Sequence, residues 1–202
     1  MSHKSVNGKV KTAVLISGGG SNMVALVQAA QDPGFPAEIV LVISNRPGAG
    51  GITKAEDLGV KVLCIDHKNF KTRKQFEQAM DKMLRAHGTE LICNAGFMRI
   101  LSPWFVGSWR GRQLNIHPSL LPKFKGLHTH ERAIEAGESE HGCTIHYVDE
   151  GMDTGKIIAQ AKVKVLPDDT KETLAARVLK AEHKLYPQIL MQIASEKPPT
   201  QN

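Results

Sequence analysis

Residues 12–22 read TAVLISGGGSN, and their order sets the fold class. Thr12 to Ser17 form an apolar run without alternation, as in a strand buried on both faces. Gly18-Gly19-Gly20-Ser21-Asn22 then interrupts it as a loop. Met23 to Gln31 has helical spacing and meets a stop at Pro33-Gly34. Strand, glycine loop and helix in that order open an α/β sheet.

The pattern repeats outward from there. Ala37 to Ser44 (AEIVLVIS) predicts a second buried strand, followed by a turn at Arg46-Pro47-Gly48. Ile52 to Leu58 predicts a short helix, Lys61 to Ile65 a strand, Thr72 to Ala86 a helix and Leu91 to Ala95 a fourth strand. Strands alternating with helices predict a mostly parallel central sheet flanked by helices on both faces. The second half is less regular. It predicts helices at Pro103 to Trp109 and Thr129 to Ala136, with strands at Gln113 to Ile116, Cys143 to Val148 and Lys156 to Val165. Along Cys143 to Val148, Thr144, His146 and Val148 share one face and Cys143, Ile145 and Tyr147 the other. Lys171 to Ile193 predicts a long amphipathic helix, kinked at Pro187.

Length and composition bound the class. The 202 residues suit one domain, expected over residues 11–195, with flexible segments at 1–10 and 196–202. No run approaches the roughly 20 apolar residues of a membrane helix, and Met1 to Lys9 lacks the apolar stretch of a signal peptide. Both point to the cytoplasm. Cys64, Cys93 and Cys143 are scattered and odd in number, which fits reduced thiols. The net charge of +6 is dispersed and aromatics are only 5% of the chain, so a base-stacking nucleic-acid platform is disfavoured. A solvated basic surface that attracts small anions fits better.

Two segments carry chemistry. The glycine loop leads from a strand into a helix, so its amides and the helix dipole can cradle a phosphate. The dinucleotide fingerprint fails at Met23, and the second strand ends in Ser44-Asn45-Arg46 without the acidic residue that holds a ribose. No Walker sequence is present either, which leaves a phosphomonoester. The plainer alternative is a tight turn in which Ser21 or Asn22 caps the helix. The second segment, Gln113 to Pro122, reads QLNIHPSLLP. In a strand, Asn115 and His117 point to one side, where an amide and an imidazole can converge on an oxygen undergoing acyl chemistry. The plainer alternative is a pair of hydrogen-bonded residues at a strand end. His128, His130 and His141 lack the spacing of a four-ligand zinc site, so no metal is expected.

The second segment resembles the Asn-x-His-x-Ser-Leu/Phe-Leu-Pro signature of the folate-dependent formyltransferase family. Gly126-Leu127-His128-Thr129-His130 is similar to its glycinamide ribonucleotide branch. So are Ser17-Gly18-x-Gly20-Ser21-Asn22, Ala95 to Leu101, and Asp149-Glu150-x-x-Asp153-x-Gly155. The tRNA-formylating and formylfolate-hydrolysing branches typically carry further domains and differ in these motifs. The resemblance runs from about Lys11 to Leu190 and implies a Rossmann-like formyltransferase fold.

The resemblance also implies roles. The N-terminal half is expected to hold phosphate and the C-terminal half folate. Gly20, Ser21, Asn22 and Glu182 are expected to bind glycinamide ribonucleotide, with Ala181 standing where many relatives have Gln. Arg73, the segment Met98, Arg99, Ile100 and Leu101, and the loop Asp149, Glu150, Gly151, Met152 and Asp153 are expected to bind 10-formyltetrahydrofolate, the co-substrate, beside Asn115. Asn115, His117 and Asp153 form the expected catalytic set, with Asp153 raising the pKa of His117. His128 is expected beside His117, and His146 is expected to pack in or beside the sheet. The implied partners are these two small molecules, with no nucleic acid and no membrane. The number of subunits is left open.

Overall fold

The opening unit forms as read. In a computed structural model, which describes residues 8–196, β1 (Val10–Ile16) runs through the glycines into α1 (Ser21–Ala30). Then follow β2 (Ala37–Ser44), α2 (Gly51–Asp57), β3 (Val62–Cys64), α3 (Arg73–Ala86) and β4 (Leu91–Asn94). The second half holds α4 (Pro103–Ser108), β5 (Gln113–His117), α5 (Thr129–Glu135), β6 (Glu140–Tyr147), β7 (Ile157–Lys164) and α6 (Lys171–Ser195). The segment expected to be flexible at 1–10 falls outside the described residues as far as residue 7, and Val10 already sits buried in β1. The tail at 196–202 falls outside them except for Glu196, which ends α6. The helix continues through Pro187, where a kink was expected.

The strands form one seven-stranded sheet in the order β3-β2-β1-β4-β5-β6-β7. β1 to β5 pair in parallel, and β6 and β7 join antiparallel. Because β1 lies between β2 and β4, the chain reverses its winding direction there. Such a switch point opens a crevice at the carboxyl ends of the strands.

Side-chain alternation in the central strands feeds two cores. Val14 and Ile16 of β1 point to one face, where Met23, Leu26 and Val27 of α1 pack with Leu174, Val178, Ile189 and Leu190 of α6. Ala13 and Leu15 point to the other, where Phe76, Met80 and Leu84 of α3 pack with Phe105 and Val106 of α4. Fully burying one such side chain contributes about 1.5–3 kcal/mol, so both helical layers are firmly held. All three cysteines lie in strands. Cys93 and Cys143 are buried and Cys64 is exposed, and none forms a disulfide. Burial pushes the Cys93 thiol up to about 12, against a hydrogen bond to Tyr186, so it stays uncharged and unreactive.

Candidate active site

The glycine loop is built from backbone. Gly20 is the N-cap of α1 with φ 69°, and no side chain caps the helix. The alternative in which Ser21 or Asn22 caps it therefore gives way to a first turn with free amides. A Cβ at Gly20 would lie 2.8 Å from the Gly51 Cα, so space as well as backbone conformation requires glycine. Asn22 Nδ2 donates to Glu182 Oε2 at 2.6 Å and ties the loop to α6. Burial raises the pKa of Glu182, and the Asn22 bond partly opposes this. Asn22 Oδ1 is buried without a partner among the described residues.

Asn115 and His117 share one side of β5, and loops deliver their partners. His117 is 5% exposed. Its Nε2 lies 2.9 Å from the Phe124 carbonyl oxygen, which can only accept, so Nε2 carries a proton. Its Nδ1 lies 3.4 Å from Asp153 Oδ2. Asp153 Oδ2 also accepts from the Gly126 N–H at 2.9 Å. Burial pushes Asp153 up, but the His146 ring, the Gly126 N–H and the His117 ring together hold it below the usual carboxylate range. Phe124, His128 and Asp153 all have positive φ without being glycine, a concentration of backbone strain around this one loop pair.

The expectation that Asp153 raises the pKa of His117 is corrected in its net sign. Desolvation is the largest influence and lowers it. The Phe124 carbonyl and Asp153 pull it up, while His146 and Arg132 push it further down. The sum lies below the usual histidine value, because burial disfavours the charged ring. Asp153 acts in the expected direction but does not overcome burial.

A further residue joins this set. The antiparallel register places His146 of β6 opposite Asn115. Its Nδ1 lies 2.8 Å from the Tyr147 carbonyl oxygen and so donates to it, leaving Nε2 as an acceptor when the ring is neutral. Asn115 Nδ2 donates to that Nε2 at 3.1 Å. Asp153 Oδ1 lies 3.7 Å from the same Nε2, too far for a hydrogen bond. One Asn115 N–H is thus anchored and the other stays available. The β6–β7 register shifts between Ile145 and His146, a bulge at the point where the ring is aimed. Alternation along β6 put His146 on the right face, but only the strand pairing shows what it meets.

The folate-side residues divide. Met98 and Ile100 are exposed, while Leu101 is buried in the core against α3 and α4. The Met98 N–H donates to Ser17 Oγ at 2.8 Å, joining this segment to the end of β1. The Arg99 guanidinium lies 5.9 Å from the Phe76 ring centroid, and its Nε is buried without a partner among the described residues. Arg73 is the exposed first residue of α3. Asp149 accepts from the Gly151 N–H and the Thr154 hydroxyl of its own loop, and Glu150 pairs with Arg110 at 3.1 Å. Gly151 and Met152 are exposed on that loop. His128, expected beside His117, instead points outward 3.7 Å from Glu131. His130 and His141 contact each other at 3.2 Å, with the His141 ring against Phe124. Among the described residues no group of three or more His, Cys, Asp or Glu is arranged to hold a metal. No helix among them is long and apolar enough to cross a membrane.

Known proteins share this fold and sequence. The family model described as "Formyl transferase" matches residues 10–190. A trifunctional purine biosynthetic protein adenosine-3 from Drosophila melanogaster is 51% identical over 187 residues, which are 92% of this chain and 14% of that protein. The chain thus spans only a small part of such relatives. A phosphoribosylglycinamide formyltransferase from Haemophilus influenzae is 42% identical over 180 residues, 89% of this chain and 85% of that one. The crystal structure of phosphoribosylglycinamide formyltransferase from Brucella melitensis superposes with a TM-score of 0.90 at 51% identity, covering 96% of this chain and 100% of that chain. With a Rossmann-like sheet, a glycine loop at its switch point and an Asn-x-His strand beside it, this chain belongs to the formyltransferase family.

Proposed function

We propose that this protein transfers a formyl group from 10-formyltetrahydrofolate to the amine of glycinamide ribonucleotide, in purine biosynthesis and in the cytoplasm. The observation that carries the reading is the convergence of the Asn115 amide, the His117 imidazole and the Asp153 carboxylate at the carboxyl end of β5. The names of the relatives support the choice of substrates.

The amine attacks the formyl carbon and the carbonyl oxygen becomes an oxyanion. The free N–H of Asn115 donates to that oxygen. His117 contributes through Nδ1, because Nε2 is committed to Phe124. With both nitrogens donating, the ring is an imidazolium, and this bond is charge-assisted. Burial opposes that charge, while Asp153 and the arriving oxyanion favour it. The new C–N bond forms, the bond from the formyl carbon to the folate nitrogen breaks, and a water relays the proton from the amine to that nitrogen. The amine is itself a competent nucleophile, so the enzyme forms no covalent intermediate.

Binding follows the same division. Gly20 and Ser21 offer amides to the phosphate, Asn22 and Glu182 face the ribose, and Arg73 with Met98 to Leu101 and Asp149 to Asp153 hold the folate. Steady-state assay with the two purified substrates should yield formylated product and tetrahydrofolate in equal amounts. Binding of both substrates without turnover would refute the reading in favour of a binding protein on an enzyme fold.

A further inference from the structure

The stretch from Ala95 to Ser102 has little backbone bonding of its own. It joins β4 to α4 without regular structure, and Gly96 turns it with φ 75°. Phe97 and Leu101 are buried in the core with α3 and α4, while Met98 and Ile100 stand out into solvent. The backbone N–H and C=O groups of Arg99, Ile100 and Leu101 make no hydrogen bond among the described residues. Peptide groups left free in this way are open to a ligand, but they do nothing to hold the chain in place.

Two buried anchors hold it instead. At the front, the Met98 N–H donates to Ser17 Oγ at 2.8 Å, and the Ser17 hydroxyl donates to Asn45 Oδ1 at 2.6 Å. At the back, the Ser102 N–H donates to Glu77 Oε1 at 2.7 Å, and the Ser102 hydroxyl donates to Glu77 Oε2. Phe76, the residue before Glu77, lies 5.9 Å from the Arg99 guanidinium, so α3 meets the stretch at two successive positions. Glu77 is fully buried, and no cation pairs with it among the described residues. It shares the buried face of α3 with Phe76, Met80 and Leu84. A carboxyl group taken out of water is costly unless donors satisfy it, and Ser102 supplies a donor to each oxygen. A well-packed apolar side chain would serve that core at least as well. What the carboxyl adds is the fixed position of Ser102.

We propose that Glu77 is a positioning residue for the formyl donor. From α3 it pins the far end of the stretch, so that the free peptide groups of Arg99 to Leu101 keep the placement the donor meets. This deepens the folate reading above and rests on it. Glu77 is buried and acts only through Ser102.

Initial rates would be measured against each substrate in turn for the wild type, Glu77→Ala, Glu77→Gln and Ser102→Ala, with the melting temperature of each. Glu77→Ala removes both acceptors. It should raise the donor KM about tenfold, with kcat and the KM of glycinamide ribonucleotide within about twofold of the wild type. Glu77→Gln keeps an oxygen for the N–H and offers its amide to the hydroxyl oxygen, so its donor KM should return to within about twofold of the wild type. Ser102→Ala keeps the N–H bond and should raise the donor KM about three- to fivefold. A Glu77→Ala protein that melts lower but keeps its donor KM would overturn the inference. So would equal rises in both KM values, or a Gln variant as impaired as the Ala variant. If Glu77→Ala does not fold, Ser102→Ala decides, and an unchanged donor KM there overturns the inference. A wild type that transfers no formyl group from the folate donor would instead remove the folate reading, and this inference with it.

Discussion

The two halves of the sheet make their sites from different material. On the β1 side, the glycine loop is backbone: a glycine with φ 69°, an uncapped helix start and close contact with Gly51. On the β5–β6 side, the candidate catalytic cluster is side chains, set by an antiparallel register and by two loops with strained residues. A backbone site tolerates many side chains around it but almost no added atom at its centre. A side-chain site tolerates shifts in the loops but depends on each functional group and its proton. Substitutions should therefore fail differently in the two halves.

The largest effect is expected where a single group does the chemistry. Asn115→Ala should lower kcat by about 100- to 1,000-fold with little change in either KM. A loss confined to KM would place Asn115 among the binding residues and erase the contrast between the halves.

Acid should then weaken the β5–β6 side first. Burial, and next the charge of His130, depress His141 to about 4, whereas in the unfolded chain it titrates near its ordinary 6.5. Below pH 6.5 the unfolded chain binds the proton and the folded one does not. Stability is thus complete above about 6.5 and is lost as the pH falls to about 4, by on the order of 3 kcal/mol. Urea unfolding across that range should show the slope, and His141→Leu should flatten it. An unchanged slope would mean that His141 is not the sensitive group.

Gly20→Val tests the backbone half. The expected outcome is a rise of about tenfold or more in the KM for glycinamide ribonucleotide, with donor KM retained, because the added atoms meet Gly51 and the residue must hold a left-handed φ. Equal loss of both ligands, with a lowered melting temperature, would show a fold defect instead of a local one.

The smallest effect is a displaced titration. Asp153→Asn removes a charge that pulls the His117 pKa up, so that pKa should drop further from a value already lowered by burial. The activity limb that needs the imidazolium should move to lower pH with it. NMR titration of His117 in both proteins checks this, and an unmoved resonance would limit Asp153 to shaping its loop.

Much of the fold was legible because strands buried on both faces read as unbroken apolar runs, as Thr12 to Ser17 and Ala37 to Ser44 do. Glycine at position 20 was legible for a similar reason, since few other residues suit that turn. The shared side of Asn115 and His117 on one strand was legible through their spacing. His146 was not assigned to the site, because a cross-strand partner 31 residues away has no local signal. The net shift of His117 was misjudged because sequence shows the opposite charge but not the burial that outweighs it. His128 was misplaced because His-x-His on a loop carries no direction; the turn into α5 sends it outward.

The bond between Asn22 and Glu182 joins residues 160 positions apart. A chain emerging from the ribosome makes β1 and its glycine loop well before α6. Until residue 182 has cleared the exit tunnel, the loop lacks the carboxylate that completes it.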